Sequence, residues 1–311
     1  MILVGVDAGG TSTRAIAVSE SGRQIGSARG GPAALHERTT AEAAHAIAGV
    51  ITEAARREPA EVVVAGVSGA ADPKAAAELQ RTLQAHGVGK RVQVVADASV
   101  ALEGALPGQA GIVVIAGTGS VAWGRNESGD EARAGGWGYR LDRGSGVDIG
   151  RQFLQTLLRS SEEGTAEGPV ASLVAQLLGV AHPGHLAQAA RSLRTVDLAA
   201  LAAPALTAAA EGDVRAARIV SESAEHLAKA ARLVWERLAY ETSHPVAGVG
   251  GLFTHEVMRD AFRAALVRHC PLAEVRAAVM LPVGGALWKA FAVSGHPFPA
   301  ALIGEVSGAS S

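Results

Sequence analysis

Leu3-Val4-Gly5-Val6-Asp7-Ala8-Gly9-Gly10-Thr11-Ser12-Thr13-Arg14-Ala15-Ile16-Ala17-Val18 is the stretch whose reading decides the fold. An apolar run from Leu3 ends in an acid at Asp7, breaks at Gly9-Gly10, and resumes as an alternating run over Thr13 to Val18. Strand, glycine break and strand spell a hairpin, and Ser21-Gly22 turns it into a third strand around Gln24 to Ala28. Apolar residues near helical spacing (Ala43, Ala44, Ile47, Val50, Ile51, Ala54) then predict a threonine-capped helix over Thr40 to Arg57. Glu61 to Val67 is a β-branched strand, Pro73 to His86 a helix, and Arg91 to Ala96 a strand, with a helix from Ser99. Three strands followed by alternating helices and strands describe a mixed sheet flanked by helices, an α/β architecture.

The same opening recurs after Gly108-Gln109-Ala110-Gly111. Ile112 to Ala116 is a strand, Gly117-Thr118-Gly119-Ser120 a loop, Val121 to Arg125 a strand, Asn126 to Asp130 a turn, and Glu131 to Gly135 a third strand. This is a repeat of architecture, not of residue identity. Residues 151 to 240 read as Ala-rich helix broken near His182-Pro183-Gly184. A late strand over Val246 to Val249 ends in Gly250-Gly251, and helices follow at Glu256 to His269 and Gly284 to Ala292. The small polar tail Ser307 to Ser311 is expected to fray. Two similar α/β halves meeting near residue 108 favour a ligand in the crevice between domains.

Bulk composition agrees with two cores in one chain of 311 residues, 48% hydrophobic and 19% charged, far from disordered compositions. A net charge of -2 offers no basic face for nucleic acid or an anionic membrane. The single cysteine, Cys270, excludes an internal disulfide framework and argues against a cysteine-held zinc or iron–sulfur centre; it reads as a small apolar residue. Met1-Ile2-Leu3-Val4-Gly5-Val6 shows no leader pattern, and no uncharged run reaches the roughly 18 residues of a membrane span, so a cytoplasmic, reduced location is the expectation.

Three glycine loops carry the chemistry. In Asp7 to Thr13, glycines let backbone N–H groups approach an anion, hydroxyls of Thr11, Ser12 and Thr13 add donors, and Asp7 can hold Mg²⁺ through water. Gly117-Thr118-Gly119-Ser120 offers the same donors, and two such hairpins in similar halves can close on one triphosphate. Gly248-Val249-Gly250-Gly251-Leu252-Phe253 leaves room for a base or ribose before a helix beginning about Thr254. Read singly, each loop also reads as a simple turn, and it is their combination that points to a ligand. No Walker loop is present, and no Gly-x-Gly-x-x-Gly opens a helix after the first strand. Asp97, between strand and helix, suits an N-cap by position alone. Trp137, between glycines, has core packing as its ordinary fate and a sugar platform as the alternative.

Taken together, Asp7-Ala8-Gly9-Gly10-Thr11, Ala96-Asp97-Ala98, Gly117-Thr118-Gly119-Ser120 and Gly135-Gly136-Trp137-Gly138 stand in the order and approximate spacing of a known family. The chain resembles the N-acetylglucosamine kinase-like branch (BadF/BadG/BcrA/BcrD type) of the actin-like ATPases over nearly its whole length. Gly248 to Phe253 matches that family's adenosine loop, and Leu281-Pro282-Val283-Gly284-Gly285-Ala286 its closing connector helix. The resemblance implies two RNase H-like domains with a cleft between them: residues 1–107 plus a returning helix 283–295, and residues 108–282. It implies ATP held by Gly9, Gly10, Thr11, Ser12, Thr13, Gly117, Thr118, Gly119, Gly250, Gly251, Leu252 and Phe253, with Mg²⁺ at Asp7. It places Asp97 beside the attacking hydroxyl as catalytic base, and Ser68, Ser120, Val121, Gly136, Trp137, Gly138 and Asp142 around a sugar. The implied reaction is transfer of phosphate from ATP to the 6-hydroxyl of N-acetylglucosamine or glucosamine, by a homodimer without nucleic-acid or membrane partners. Because phosphoryl transfer is mostly positioning and charge neutralisation, an aspartate of ordinary basicity suffices.

Two departures bear on the sugar. The family has an asparagine after Gly-Pro-x, where Gly31-Pro32-Ala33-Ala34 has Ala34; His36 is the nearby polar side chain. The family's Leu-Gly-Asp-Glu-Gly-Ser is shortened to Leu141-Asp142-Arg143-Gly144-Ser145, with Arg143 in place of an acid. Arg143 either pairs with a carboxylate of the protein or recognises an acidic substrate. The alternatives to a kinase are an ATPase with another acceptor or a protein partner, a sugar-sensing regulator, and a chain that binds nucleotide without transfer. A regulator would need a DNA-binding segment ahead of a strand that begins at residue 2.

Overall fold

A computed structural model describes residues 1–163, 169–180 and 185–307. The expected break at His182-Pro183-Gly184 and the tail beyond Ser307 lie outside the described residues. The chain runs β1 Ile2–Ala8, β2 Thr13–Ser19, β3 Gln24–Gly30, α1 Thr40–Ala54, β4 Ala60–Val67, α2 Pro73–Ala85, β5 Gly89–Ala96 and α3 Asp97–Ala105. It continues with β6 Gly111–Ala116, β7 Ser120–Arg125, β8 Glu131–Gly135, α4 Gly146–Glu162, α5 Pro169–Leu177, α6 Leu186–Ala190, α7 Thr195–Ala200, α8 Ala202–Ala210 and α9 Val214–Arg237. It closes with β9 His244–Val249, α10 Glu256–His269, β10 Ala273–Arg276, α11 Pro282–Ser294 and α12 Ala301–Val306. Among the described residues no helix is long and apolar enough to cross a membrane.

Two compact units result. The first holds Met1–Val113, Arg125–Asp130 and Arg276–Ser311; the second holds Val114–Gly124 and Glu131–Val275. The first sheet is ordered β3-β2-β1-β4-β5. In it β1 is antiparallel to β2 and parallel to β4, and β4 is parallel to β5. The second sheet is ordered β10-β9-β6-β7-β8. Read from the other edge, that is three consecutive strands, then two later ones beyond the first of the three, the order of the first sheet. The repeat read from the glycine loops is thus a repeat of strand order.

Alternation explains why the central strands of the first unit look uniformly apolar: both faces are covered. Val4, Val6, Ala15, Ala17, Val63 and Ala65 pack with Ile47, Ile51, Leu79 and Leu83 of α1 and α2. Leu3, Ile16, Val18, Val62 and Val64 pack on the opposite face with Val100, Val283, Leu287 and Phe291 of α3 and α11. A capping box starts α1, with Thr39 accepting the Glu42 N–H and the Glu42 carboxylate accepting the Thr39 N–H.

Three elements differ from the sequence expectation. Helix α3 begins at Asp97, two residues before Ser99, because Ala96 holds the extended cap conformation. The N-cap reading of Asp97 therefore fails: it is the first helical residue, and its carboxylate accepts the N–H of Ala98 at 2.9 Å. Strand β10 was not expected; four residues with alternating exposure and two charges make a short edge strand with little periodic signal. Helix α12 is similarly short, anchored by Leu302 and Val306 one turn apart.

Candidate active site

In the first unit, strand ends bring acids and small polar groups together. Asp7 lies near the end of β1, opposite Arg14 of β2 and Gly66 of β4. Beyond it the loop folds on itself, with the Gly9 N–H donating to the Ser12 carbonyl at 3.0 Å and the Gly9 carbonyl accepting from Ala33 at 3.1 Å. Thr11 and Ser12 are exposed and Gly9 and Gly10 partly so, whereas Thr13 is fully buried with its hydroxyl donating to the Gly31 carbonyl at 2.8 Å. The Thr13 side chain braces the loop from beneath, and the expectation that it meets a ligand is revised.

Asp97 and Ser68 join Asp7 in this unit. The Ser68 N–H donates to the Ala8 carbonyl at 2.9 Å, tying its loop to the end of β1, and its side chain hydrogen-bonds the Asp97 carboxylate. Burial pushes the Asp97 carboxyl up, against bonds from Ala98 and Ser68 and the charge of His36. Burial pushes Asp7 up to about 7, the charge of Asp97 adds to the rise, and Arg14 opposes it. Two acids that burial drives towards protonation, Asp7 the further for the charge of Asp97, are groups that a divalent cation would relieve, and one or two carboxylates plus phosphate oxygens suit Mg²⁺.

The Asp7 shift has a sign that can be measured. Its folded value, about 7, lies above the 3.8 of a free aspartate. Folding is therefore penalised progressively as pH rises from about 4 to about 7, and fully above that. In metal-free buffer Asp7→Asn should stabilise the protein on the order of 2 kcal/mol at pH 8, the carboxyl keeping some solvent contact. The gain should vanish at pH 4. Thermal melts of both proteins across this range check it; a gain that grows on acidification would contradict it.

In the second unit the loop Gly117–Ser120 is pinned by α4. The Gly146 N–H donates to the Gly117 carbonyl at 2.7 Å and the Val147 N–H to the Thr118 carbonyl at 3.3 Å. Asp142 is a knot rather than an open ligand. One carboxylate oxygen accepts the Trp137 N–H at 2.8 Å, the other the Ser120 N–H at 3.4 Å, and Gly136 and Gly138 add backbone bonds. The Ser120 hydroxyl donates to the Arg143 carbonyl at 2.8 Å. The Asp142 carboxylate thus holds the strip Gly136-Trp137-Gly138, and both residues border the space beside Trp137. Trp137 itself is 72% exposed, so core packing is excluded and its ring is open to a ligand. Val121 and Gly138 are partly exposed and Gly136 is exposed beside it.

The glycine turn after β9 divides in two. Gly250 and Gly251 are exposed, and Gly250 has a φ of 103° that a side chain would strain. A Cβ there would also stand 2.5 Å from the Ala116 carbonyl oxygen. Leu252 and Phe253 are buried, the Phe253 ring lying against Gly248 and edge-on to Phe262 at 5.1 Å. Their side chains support the turn, which leaves backbone as what they can offer.

Sequence reading missed Asp148. It is buried, pairs with Arg143 at 3.3 Å and Arg151 at 2.5 Å, and accepts the Gly144 N–H at 3.0 Å. This decides between the two readings of Arg143: it pairs with a carboxylate of the protein. The available signal was Ser145-Gly146-Val147-Asp148, a capping pattern in which Ser145 accepts the Asp148 N–H at 3.2 Å.

The model of the BadF/BadG/BcrA/BcrD ATPase family matches residues 4–288. An N-acetylmuramic acid/N-acetylglucosamine kinase of Clostridium acetobutylicum is 27% identical over 286 residues, covering 88% of this chain and 92% of its own. A Chromobacterium violaceum structure described as a candidate N-acetylglucosamine kinase superposes with a TM-score of 0.76 at 26% identity, covering 93% of this chain and 98% of that one. A ROK family glucokinase of Streptomyces griseus, solved with glucose and AMPPNP, gives 0.66 at 20% identity over 93% of this chain and 98% of its own, a likeness of fold.

Proposed function

Because the chain belongs to the BadF/BadG/BcrA/BcrD ATPase family, we propose that it is an ATP-dependent sugar kinase, phosphorylating the 6-hydroxyl of an amino sugar such as N-acetylglucosamine or glucosamine. The observation that carries the reading is the Asp7, Asp97 and Ser68 cluster beside the Gly9-Gly10 loop, two half-buried acids next to a glycine-rich backbone.

In this mechanism Gly9, Gly10, Thr11 and Ser12, with Gly117, Thr118 and Gly119, address the phosphates through backbone and hydroxyl donors. Gly250 and Gly251 leave room for the adenosine. Asp7 is the residue that would hold Mg²⁺, which would supply positive charge to offset that of the phosphates. Asp97 accepts a hydrogen bond from the sugar hydroxyl, aims its oxygen at phosphorus, and takes its proton late in the transfer. Ser68 orients the Asp97 carboxylate. Trp137 offers the sugar an apolar ring face, and Gly136, Gly138 and Val121 border it. The enzyme works in the cytoplasm as a homodimer, a state that light scattering reads directly.

The test is ADP formation with N-acetylglucosamine, glucosamine, N-acetylmannosamine, glucose, N-acetylmuramic acid or no sugar. Strong stimulation by an amino sugar, with a 6-phosphate seen by phosphorus NMR, is the expected result. Nucleotide binding with no stimulation by any sugar would reject the kinase.

A second reading, an ATPase with a different acceptor or a protein partner, is favoured by one observation. Ala34 is fully buried and Ser120 and Asp142 spend their side chains inside the protein, which reduces the polar groups left for a sugar. A cysteine-held cluster in such an ATPase has little to use here: burial pushes the single thiol, Cys270, up to about 11, away from thiolate chemistry.

A further inference from the structure

Asp148 carries more bonds than a helix start needs. Ser145 already caps α4, its hydroxyl accepting the Asp148 N–H at 3.2 Å. The Asp148 carboxylate, only 1% exposed, turns back on the chain instead. One oxygen takes the Gly144 N–H at 3.0 Å and the Arg143 Nε at 3.3 Å, the other the Arg151 guanidinium at 2.5 Å. A buried carboxylate between two cations costs desolvation that an apolar residue would avoid. What it holds is the turn from Asp142 to Ser145. In that turn the Asp142 carboxylate takes the Trp137 N–H, the Arg143 carbonyl takes the Ser120 hydroxyl, and the Asp142 carbonyl takes the Ser145 hydroxyl at 3.2 Å. The Arg143 side chain lines a pocket of about 350 Å³ together with Trp137 and Asp142, and Arg133, Lys229 and Arg237 make the rest of the lining basic. All of these residues belong to the second unit.

We propose that Asp148 is a positioning residue for the acceptor: it fixes the turn from Asp142 to Ser145 and sets the Arg143 guanidinium in the pocket beside Trp137. The word acceptor rests on the sugar-kinase reading; the bond network does not. Asp148 engages Arg143 through Nε, the inner nitrogen, which leaves the two terminal nitrogens for a ligand in the pocket. A guanidinium pinned at one edge has lost rotamer freedom before the ligand arrives, so its remaining donors bind at lower entropic cost. Released from Asp148, Arg143 would be one more mobile side chain on a basic surface. The nucleotide side is served separately, because the Gly117 and Thr118 carbonyls are pinned by the backbone N–H groups of Gly146 and Val147. Loss of the Asp148 charge should therefore act on the acceptor and spare the nucleotide.

Asp148→Asn in the full chain is the test, with Asp213→Ala as comparator for stability, since Asp213 caps α9 and lies outside the pocket lining. Steady-state kinetics use N-acetylglucosamine, or whichever sugar of the panel above turns over. Asp148→Asn should raise the acceptor KM about tenfold or more while kcat and the ATP KM stay within about twofold. Arg143→Met should raise the acceptor KM as well, and the double variant should go no further than Asp148→Asn alone, the non-additivity of residues that act together. Fluorine NMR of protein labelled with 5-fluorotryptophan gives a second readout from the four tryptophans. The Trp137 line, assigned by its loss in Trp137→Phe, should shift or broaden in Asp148→Asn while that of Trp288 stays in place. Asp213→Ala should lower the melting temperature and move neither readout. A melting loss in Asp148→Asn with acceptor KM and the Trp137 line unmoved would make Asp148 purely structural and overturn the assignment, as would a rise in the ATP KM instead. Should Asp148→Asn not fold, Arg143→Met decides, and an unchanged acceptor KM would overturn the assignment. Failure of the kinase reading looks different: no sugar would be turned over by the wild type, while the Trp137 line would still move in Asp148→Asn.

Discussion

Asp97→Asn should lower turnover by about 10²–10⁴-fold while leaving nucleotide binding in place, the range that loss of a positioned acid–base group spans. The substitution is nearly isosteric. An asparagine oxygen can still accept the Ala98 N–H that Asp97 takes at 2.9 Å, so the start of α3 is preserved. Burial raises the Asp97 carboxyl, which means the folded protein spends free energy to ionise it. Removing that charge should leave thermal stability unchanged or higher at neutral pH and above. Lost activity with a retained or raised melting temperature therefore separates a catalytic role from a structural one. The wild-type rate should also climb with pH until Asp97 is ionised, and the variant should lose that limb. Single-turnover kinetics with nucleotide binding measured in parallel is the check; unchanged turnover would remove Asp97 from the mechanism.

How much of this was legible beforehand depends on what each residue's local pattern encodes. The hairpin from Leu3 to Val18 and its counterpart from Ile112 to Arg125 were readable because alternation and glycine breaks are local signals, and β1, β2, β6 and β7 fall on them. The direction in which a side chain points is not local. Thr13 looks like a donor in a glycine loop, yet its position in β2 turns it under the sheet towards Gly31. Asp142 looks like a ligand in a polar segment, yet four backbone N–H groups converge on it once Gly136 to Gly138 wrap around. Phe253 is hidden for the same reason, because only tertiary contact reveals that Gly248 makes room for its ring. The basic pocket was invisible in sequence, since Arg133 and Lys229 lie 96 positions apart, on β8 and α9. The overall charge of -2 averages such a patch away.

The largest stability effect is expected at Gly285. Helix α11 crosses α3 so closely that a Cβ on Gly285 would stand 1.9 Å from the Val100 carbonyl oxygen and 2.4 Å from the Gly104 nitrogen. The same helix lies over Gly5 of β1, where a Cβ would be 2.6 Å from the Leu287 nitrogen. These obstacles are backbone atoms, which cannot swing aside as a side-chain tip can. Gly285→Ala must lift α11 off α3 and loosen Val283, Leu287 and Phe291, all within 1% of complete burial. Overpacking of this kind costs roughly 1–3 kcal/mol and more where backbone must move, so a loss of about 3 kcal/mol or more in urea unfolding is expected. Gly304→Ala is the control: it lies exposed in α12 with nothing within 4 Å of its Cβ, and helix propensity should make it neutral or slightly stabilising. The consequence reaches the chemistry, because α11 clamps the strand that ends near Asp7 and the helix that begins at Asp97. Even where Gly285→Ala still folds, turnover should fall with stability, whereas Gly304→Ala should change neither. A variant within about 0.5 kcal/mol of wild type, the scatter of ordinary surface substitutions, would show that α11 is free to retreat.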